Sequence, residues 1–123
     1  MMKVLIVDDN EKVRELVRDY LPASVREIYE CADGIEALAI YQKHLPDWVL
    51  MDWEMPEMNG ITAIREIIAK FPEANICMVT AFDDAEIRTE ALAAGASGFV
   101  LKDNLFELEA MFRVTASAVQ SSA

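Results

Sequence analysis

The chain has 123 residues, with 11 Lys+Arg against 22 Asp+Glu, a formal charge of −11 and a pI near 4.4. One domain of this length buries roughly two thirds of the surface its unfolded chain exposes, and little room is left for a second. With 54% hydrophobic residues the charge does not signal disorder, and the acidity argues against nucleic acid or an anionic membrane as partner, since both take a basic face.

The first apolar run, Val4 to Val7, ends at Asp8-Asp9. It is too short for a signal peptide, and no run in the chain nears the ~20 residues of a bilayer span. Asn10 can cap a helix whose Val13, Leu16, Val17, Tyr20 and Leu21 recur at i, i+3, i+4, i+7 and i+8. Glu27 to Cys31 reads as a more polar strand, its two glutamates suited to a sheet edge. Asp33-Gly34-Ile35-Glu36 has the capping-box pattern ahead of Ala37, Leu38 and Tyr41. Trp48 to Met51 is the third strand, followed by a helix carrying Ile61, Ile64, Ile68 and Phe71 and stopped by Pro72. After the run Ile76 to Val79, Asp84 can cap a helix bearing Ile87, Ala91 and Leu92 that ends near Gly95. Phe99 to Leu101 is the last strand, and Leu108, Met111, Phe112, Thr115 and Val119 mark a fifth helix before a polar tail. Cys31 and Cys77 lack CxxC spacing and read as buried thiols of a reducing compartment. The expectation is one domain over residues 1–123, cytoplasmic, with no membrane segment.

Near-continuous apolar strands alternating with amphipathic helices imply a parallel sheet covered by helices on both faces. Ligands in such sheets sit beyond the carboxyl ends of the strands. The residues that follow the strands here are Asp8-Asp9, Asp52, Thr80 and Lys102. Taken singly, each has a plain structural reading: a strand-to-helix turn, an Asp before Pro, a loop hydroxyl, a solvated ammonium. Their coincidence at four strand ends says more. Carboxylates gathered at one rim repel one another, raise at least one pKa, and suit a hard cation such as Mg²⁺. Acids, a hydroxyl and an ammonium together fit phosphoryl transfer. Asp83-Asp84, also an acid pair, is read as a helix cap.

Leu5-Ile6-Val7-Asp8-Asp9, Met51-Asp52-Trp53-Glu54-Met55-Pro56-Glu57-Met58-Asn59-Gly60, Val79-Thr80-Ala81 and Gly98-Phe99-Val100-Leu101-Lys102 resemble the receiver domain of two-component response regulators. The resemblance spans essentially the whole chain. It implies a flavodoxin-like (βα)5 doubly wound sheet of strand order 2-1-3-4-5. It implies that Asp52 accepts a phosphoryl group from a sensor histidine kinase or a histidine phosphotransfer protein. Asp9, Asp52 and the backbone carbonyl of Glu54 then bind Mg²⁺ directly, with Asp8 contributing mostly through water. Lys102 pairs with Asp52 before transfer and with the phosphoryl group after it. Thr80 hydrogen-bonds another phosphoryl oxygen, and Phe99 matches the switch aromatic. The output passes through the fourth helix, fifth strand and fifth helix, with a homodimer on phosphorylation as one outcome. The chain is not expected to be a turnover enzyme, because it catalyses only its own phosphorylation and dephosphorylation. A phosphatase on small phosphoesters and a flavin or nucleotide binder are disfavoured, respectively for want of a cap and of a glycine-rich loop after the first strand.

Two departures stand out. Asp103, not Pro, follows Lys102, so a trans peptide is expected there. With Ala94-Gly95-Ala96-Ser97-Gly98 before it, the Lys-Asp pair resembles receivers of LuxR/NarL-type DNA-binding regulators, which control transcription. The chain reads as a receiver taken from such a regulator, or alternatively as a stand-alone one. Glu54 and Phe82, each two residues past Asp52 and Thr80, are expected to flank an attacking water and to slow dephosphorylation.

Overall fold

Strands β1 (Met2–Val7), β2 (Val25–Cys31), β3 (Trp48–Met51), β4 (Ile76–Thr80) and β5 (Gly98–Leu101) pair in parallel in the order 2-1-3-4-5. Helices α1 (Glu11–Asp19), α2 (Gly34–His44), α3 (Gly60–Lys70) and α4 (Ala85–Ala94) connect them. Residues 107–113 form a further helical segment, α5, after a short 3-10 turn at Lys102–Asn104. The structure, a computed structural model, describes residues 2–55 and 58–113. Thr115 and Val119 of the fifth helical stripe, and Pro56 and Glu57 of the motif after β3, lie outside them.

The apolar runs are continuous because both faces of the central strands are covered. Leu5, Val7, Val49, Met51, Ile76 and Met78 pack toward α2, α3 and α4. Val4, Ile6, Leu50, Cys77, Val79 and Val100 pack toward α1 and α5. Burying one such Leu, Ile, Val or Met side chain is worth roughly 1.5–3 kcal/mol. β2 is the edge strand that its polarity implied.

Helix starts follow the expected caps. Asn10 Oδ1 accepts from the N–H groups of Lys12 and Val13, and Asp84 Oδ1 accepts from Glu86 and Ile87. Asp33 Oδ1 accepts from Glu36 N–H at 2.8 Å, while the Glu36 carboxylate returns to Ala32 rather than to Asp33. The box thus closes one residue early. Asn59 caps α3 through Thr62 N–H, a cap not assigned from sequence.

Helix faces differ from the sequence reading in three places. In α1 only Val17 is fully buried, and Leu16 is 47% exposed, because the nine-residue helix presents a narrow strip to the sheet and Tyr20 already lies at its C-cap. In α3 Ile61 and Ile64 of the expected stripe are buried, but the row continues through Ile67, and Ile68 is only partly buried beside it against Gly95. In α4 the inward row is Ile87, Ala91 and Ala94, so Leu92 points outward. Gly95 takes φ +117°, the left-handed cap that ends α4. Among the described residues there is no cis peptide, so Lys102–Asp103 is trans. Both cysteines are buried and free, their thiols pushed up to about 12 chiefly by burial. Among the described residues no helix is long and apolar enough to cross a membrane.

Candidate functional site

The sheet order reverses between β1 and β3, which lie side by side at its centre. Each strand delivers its acid there by one further ladder bond. Asp8 N–H donates to the Cys31 carbonyl at 3.1 Å, and Asp52 N–H to the Val7 carbonyl at 2.9 Å. One carboxylate oxygen from each of Asp8, Asp9 and Asp52 lies within 4.8 Å of the others. Asp8 and Asp52 are buried, whereas Asp9 is exposed. From the end of β5, Lys102 Nζ reaches Asp8 Oδ2 at 2.9 Å and Asp52 Oδ1 at 3.2 Å. An open cleft of about 530 Å³ lies over this group, lined also by Glu54 and Phe82.

Gly60 explains how α3 fits beneath the site. Its N–H donates to the Trp53 carbonyl at 2.8 Å. A Cβ built on Gly60 would lie 2.0 Å from the Asp52 carbonyl oxygen. Only glycine allows that approach, so the Asn59-Gly60 pair caps α3 and shapes the backbone of Asp52 together.

Burial pushes the Asp52 carboxyl up to about 6, helped by the charge of Asp8 and opposed by Lys102 and by the Trp53 N–H. Burial alone would lower the Lys102 ammonium, but its pairing with Asp8 and Asp52 outweighs that and raises it above 10.5. These shifts agree: one ammonium serves two carboxylates and offsets the burial of Asp52 only in part.

The remaining candidates separate. Thr80 does not open onto the cleft: it is fully buried at the end of β4, and its Oγ1 accepts the Phe82 N–H at 3.2 Å. Ala81 and Phe82 line the cleft in its place. Phe99, on β5, is half-buried under α4, with the Arg88 guanidinium 5.3 Å from its ring centroid. Phe82 stands edge-on to Trp53, ring centroids 5.4 Å apart. Asp84 is occupied as a cap. Sequence reasoning missed Arg14, whose Nη1 donates to the Asp8 carbonyl at 2.6 Å. It also took Glu30 for an edge-strand charge, although Glu30 pairs with both Arg14 and Arg18. The only sequence signal was the Arg14/Arg18 spacing along one side of α1.

Residues 4–113 match the family model of the response regulator receiver domain. The chain belongs to this family. The receiver is 42% identical over 104 residues to the transcriptional regulatory protein YhcZ of Bacillus subtilis, covering 83% of this chain and 49% of that protein. It therefore spans about half the length of that relative. It is 41% identical over 117 residues to Protein CcdB of Bacillus subtilis, covering 93% of this chain and 98% of that one. Among solved structures, a LuxR-family two-component response regulator from Aurantimonas superposes with a TM-score of 0.87 at 31% identity, over 94% of this chain and 85% of that one. The flavodoxin-like order 2-1-3-4-5 and the receiver assignment read from the motifs are both upheld.

Proposed function

We propose that this receiver takes a phosphoryl group onto Asp52 from the phosphohistidine of a sensor histidine kinase or phosphotransfer protein. The observation that carries the reading is the meeting of a buried Asp52, Lys102 at 3.2 Å, and the carboxylates of Asp8 and Asp9 at one strand-end cleft. An Asp52 carboxylate oxygen attacks phosphorus, the P–N bond breaks, and its electron pair leaves on the donor imidazole. Asp52 then holds an acyl phosphate. Lys102, released from Asp52, pairs with a phosphoryl oxygen. Thr80 turns from Phe82 N–H toward another phosphoryl oxygen, drawing the loop after β4 inward, and Phe99 follows by leaving Arg88. The signal emerges on the face formed by α4, β5 and α5, which also offers a surface for a homodimer. The chain acts only on its own phosphorylation and dephosphorylation, in a cytoplasmic setting that suits its two free, buried thiols.

The donor set fits Mg²⁺. Three carboxylates against one ammonium leave negative charge, and the oxygens suit a hard cation. Asp9, Asp52 and the Glu54 carbonyl would hold the ion. Asp8 would act through water, because its Oδ1 already takes Asn10 N–H at 2.9 Å and its Oδ2 takes Lys102. When bound, Mg²⁺ offsets the repulsion between the phosphoryl dianion and these acids.

The output we infer is transcription, through a DNA-binding portion; YhcZ is named a transcriptional regulatory protein, and the Aurantimonas structure is of a LuxR-family response regulator. A second reading, a stand-alone receiver acting on another protein, is favoured by the match to CcdB over 98% of that protein. The test is intact mass after treatment with a small phosphodonor and Mg²⁺. Wild type gains one phosphoryl group and Asp52→Ala none; no gain in wild type, or equal gain in both, overturns the reading.

A further inference from the structure

Arg14 links α1, β2 and the acid pair, and nothing in the phosphoacceptor chemistry above uses it. Its Nε donates to Glu30 Oε1 at 3.1 Å, and its Nη1 to the Asp8 main-chain carbonyl at 2.6 Å. The other Glu30 oxygen takes Arg18 Nη1 at 2.7 Å. The Arg14 side chain is 17% exposed, against 43% for Arg18. A guanidinium is planar and presents its donors at set angles, so the grip on Glu30 aims the second donor. Asp8 is held from the other side as well, by Asn10 N–H on its carboxylate. The peptide joining Asp8 to Asp9 is thus pinned where β1 ends and the acid pair begins.

We propose that Arg14 is a positioning residue for the divalent cation, setting the Asp8–Asp9 backbone so that both carboxylates face the site. The inference rests on the reading of that site given above. Charge and geometry make opposite predictions here. Arg14 is a cation near the place a second cation would occupy, so removing its charge should tighten Mg²⁺ binding if only electrostatics mattered. If Arg14 sets the backbone, removing it weakens binding. Arg18 is the internal control: it shares Glu30 but does not touch Asp8.

The test is calorimetric titration of the whole chain with MgCl₂. Arg14→Met is expected to weaken Mg²⁺ roughly 10-fold, the low end of losses seen when groups behind metal ligands are removed. Arg14→Lys, which keeps the charge and loses the fork, falls between wild type and Arg14→Met, and it carries the test alone should Arg14→Met fail to fold. Arg18→Met binds as tightly as wild type or more tightly. Equal or tighter binding by Arg14→Met, or by Arg14→Lys where Arg14→Met does not fold, overturns the inference while leaving the site intact. No Mg²⁺ binding by wild type overturns the site reading, and the inference with it.

Discussion

Lys102 stands nearer to Asp8, at 2.9 Å, than to Asp52, at 3.2 Å. The ammonium is therefore shared, and Asp52 keeps part of the cost of its own burial. Burial, only partly offset by that shared ammonium, holds the Asp52 carboxyl at about 6, and the negative charge left over suits a second cation. Lys102→Met should push Asp52 higher still, because the main opposing influence is gone. Following the Asp52 carboxyl carbon by NMR through a pH titration checks this; a midpoint at or below that of wild type contradicts it.

Stability should depend on pH in the sense set by Asp52. Its folded pKa, about 6, lies above its ordinary 3.8, so the folded state binds the proton more tightly. That contribution is fully present below the lower value and is lost as pH rises through the upper one. Asp52→Asn, neutral at every pH, should then be more stable than wild type at pH 7.5 without divalent ions. A gap of about two pKa units at 1.36 kcal/mol each makes ~3 kcal/mol the upper figure. The advantage should shrink toward zero near pH 4. Urea unfolding at both pH values measures it, and an equal difference at both would refute the assignment.

Gly60→Ala tests the backbone beneath Asp52, the proposed phosphoacceptor. The new methyl would meet the Asp52 carbonyl at 2.0 Å, a distance only backbone movement can relieve. We expect a loss of ~2–4 kcal/mol, the range of severe single substitutions. In protein that still folds, labelling by a small phosphodonor should slow on the order of 100-fold, as expected for about 1 Å of misplacement. Thermal unfolding and labelling rate report the two effects separately, and wild-type values for both would show that the loop yields freely.

The central strands were legible because burial on both faces leaves an unbroken apolar run, as in Val4 to Val7 and Ile76 to Val79. The acids and Lys102 were legible because a parallel sheet brings all its carboxyl ends to one rim. What resisted reading depended on distances between elements. Helical spacing put Leu16 and Leu92 with the core but could not say how wide a strip each helix presents. Thr80 lies at the right strand end, yet its hydroxyl is spent on Phe82 N–H, a rotamer that no residue pattern encodes. Arg14 meets the Asp8 carbonyl only because α1 packs against β1 within reach of Glu30 on the neighbouring β2.

Leu45 offers a stabilising change remote from the site. It caps α2 in the left-handed region, at φ 47° and ψ 60°, and the residue is 59% exposed. Holding a side chain there costs roughly 1–2 kcal/mol, and glycine avoids it while giving back part in unfolded-chain entropy. Leu45→Gly should gain about 0.5–1 kcal/mol, a rise of several degrees in Tm for a domain of this size. An unchanged or lower Tm would mean that the exposed leucine makes compensating contacts.

Glu54 and Phe82 bear on how long the phosphoryl group lasts. Hydrolysis needs water to approach phosphorus opposite the Asp52 oxygen, through the cleft these two residues line. Phe82 is braced there by its edge-on contact with Trp53, their ring planes 77° apart, so its ring narrows the entrance. The Glu54 carboxylate, exposed on the same rim, disfavours the hydroxide-like character that water acquires in attack. Phe82→Ala and Glu54→Gln should each speed loss of phosphate by roughly 3- to 10-fold, or ~0.7–1.4 kcal/mol in barrier. Trp53→Ala should act in the same direction as Phe82→Ala, and little more should be lost on combining the two, since one supports the other. Phosphate release from the purified phosphoprotein, followed in excess chelator to stop relabelling, gives the lifetimes. A wild-type lifetime of seconds, or rates that none of these substitutions raises, would show that water reaches the acyl phosphate by a path neither side chain guards.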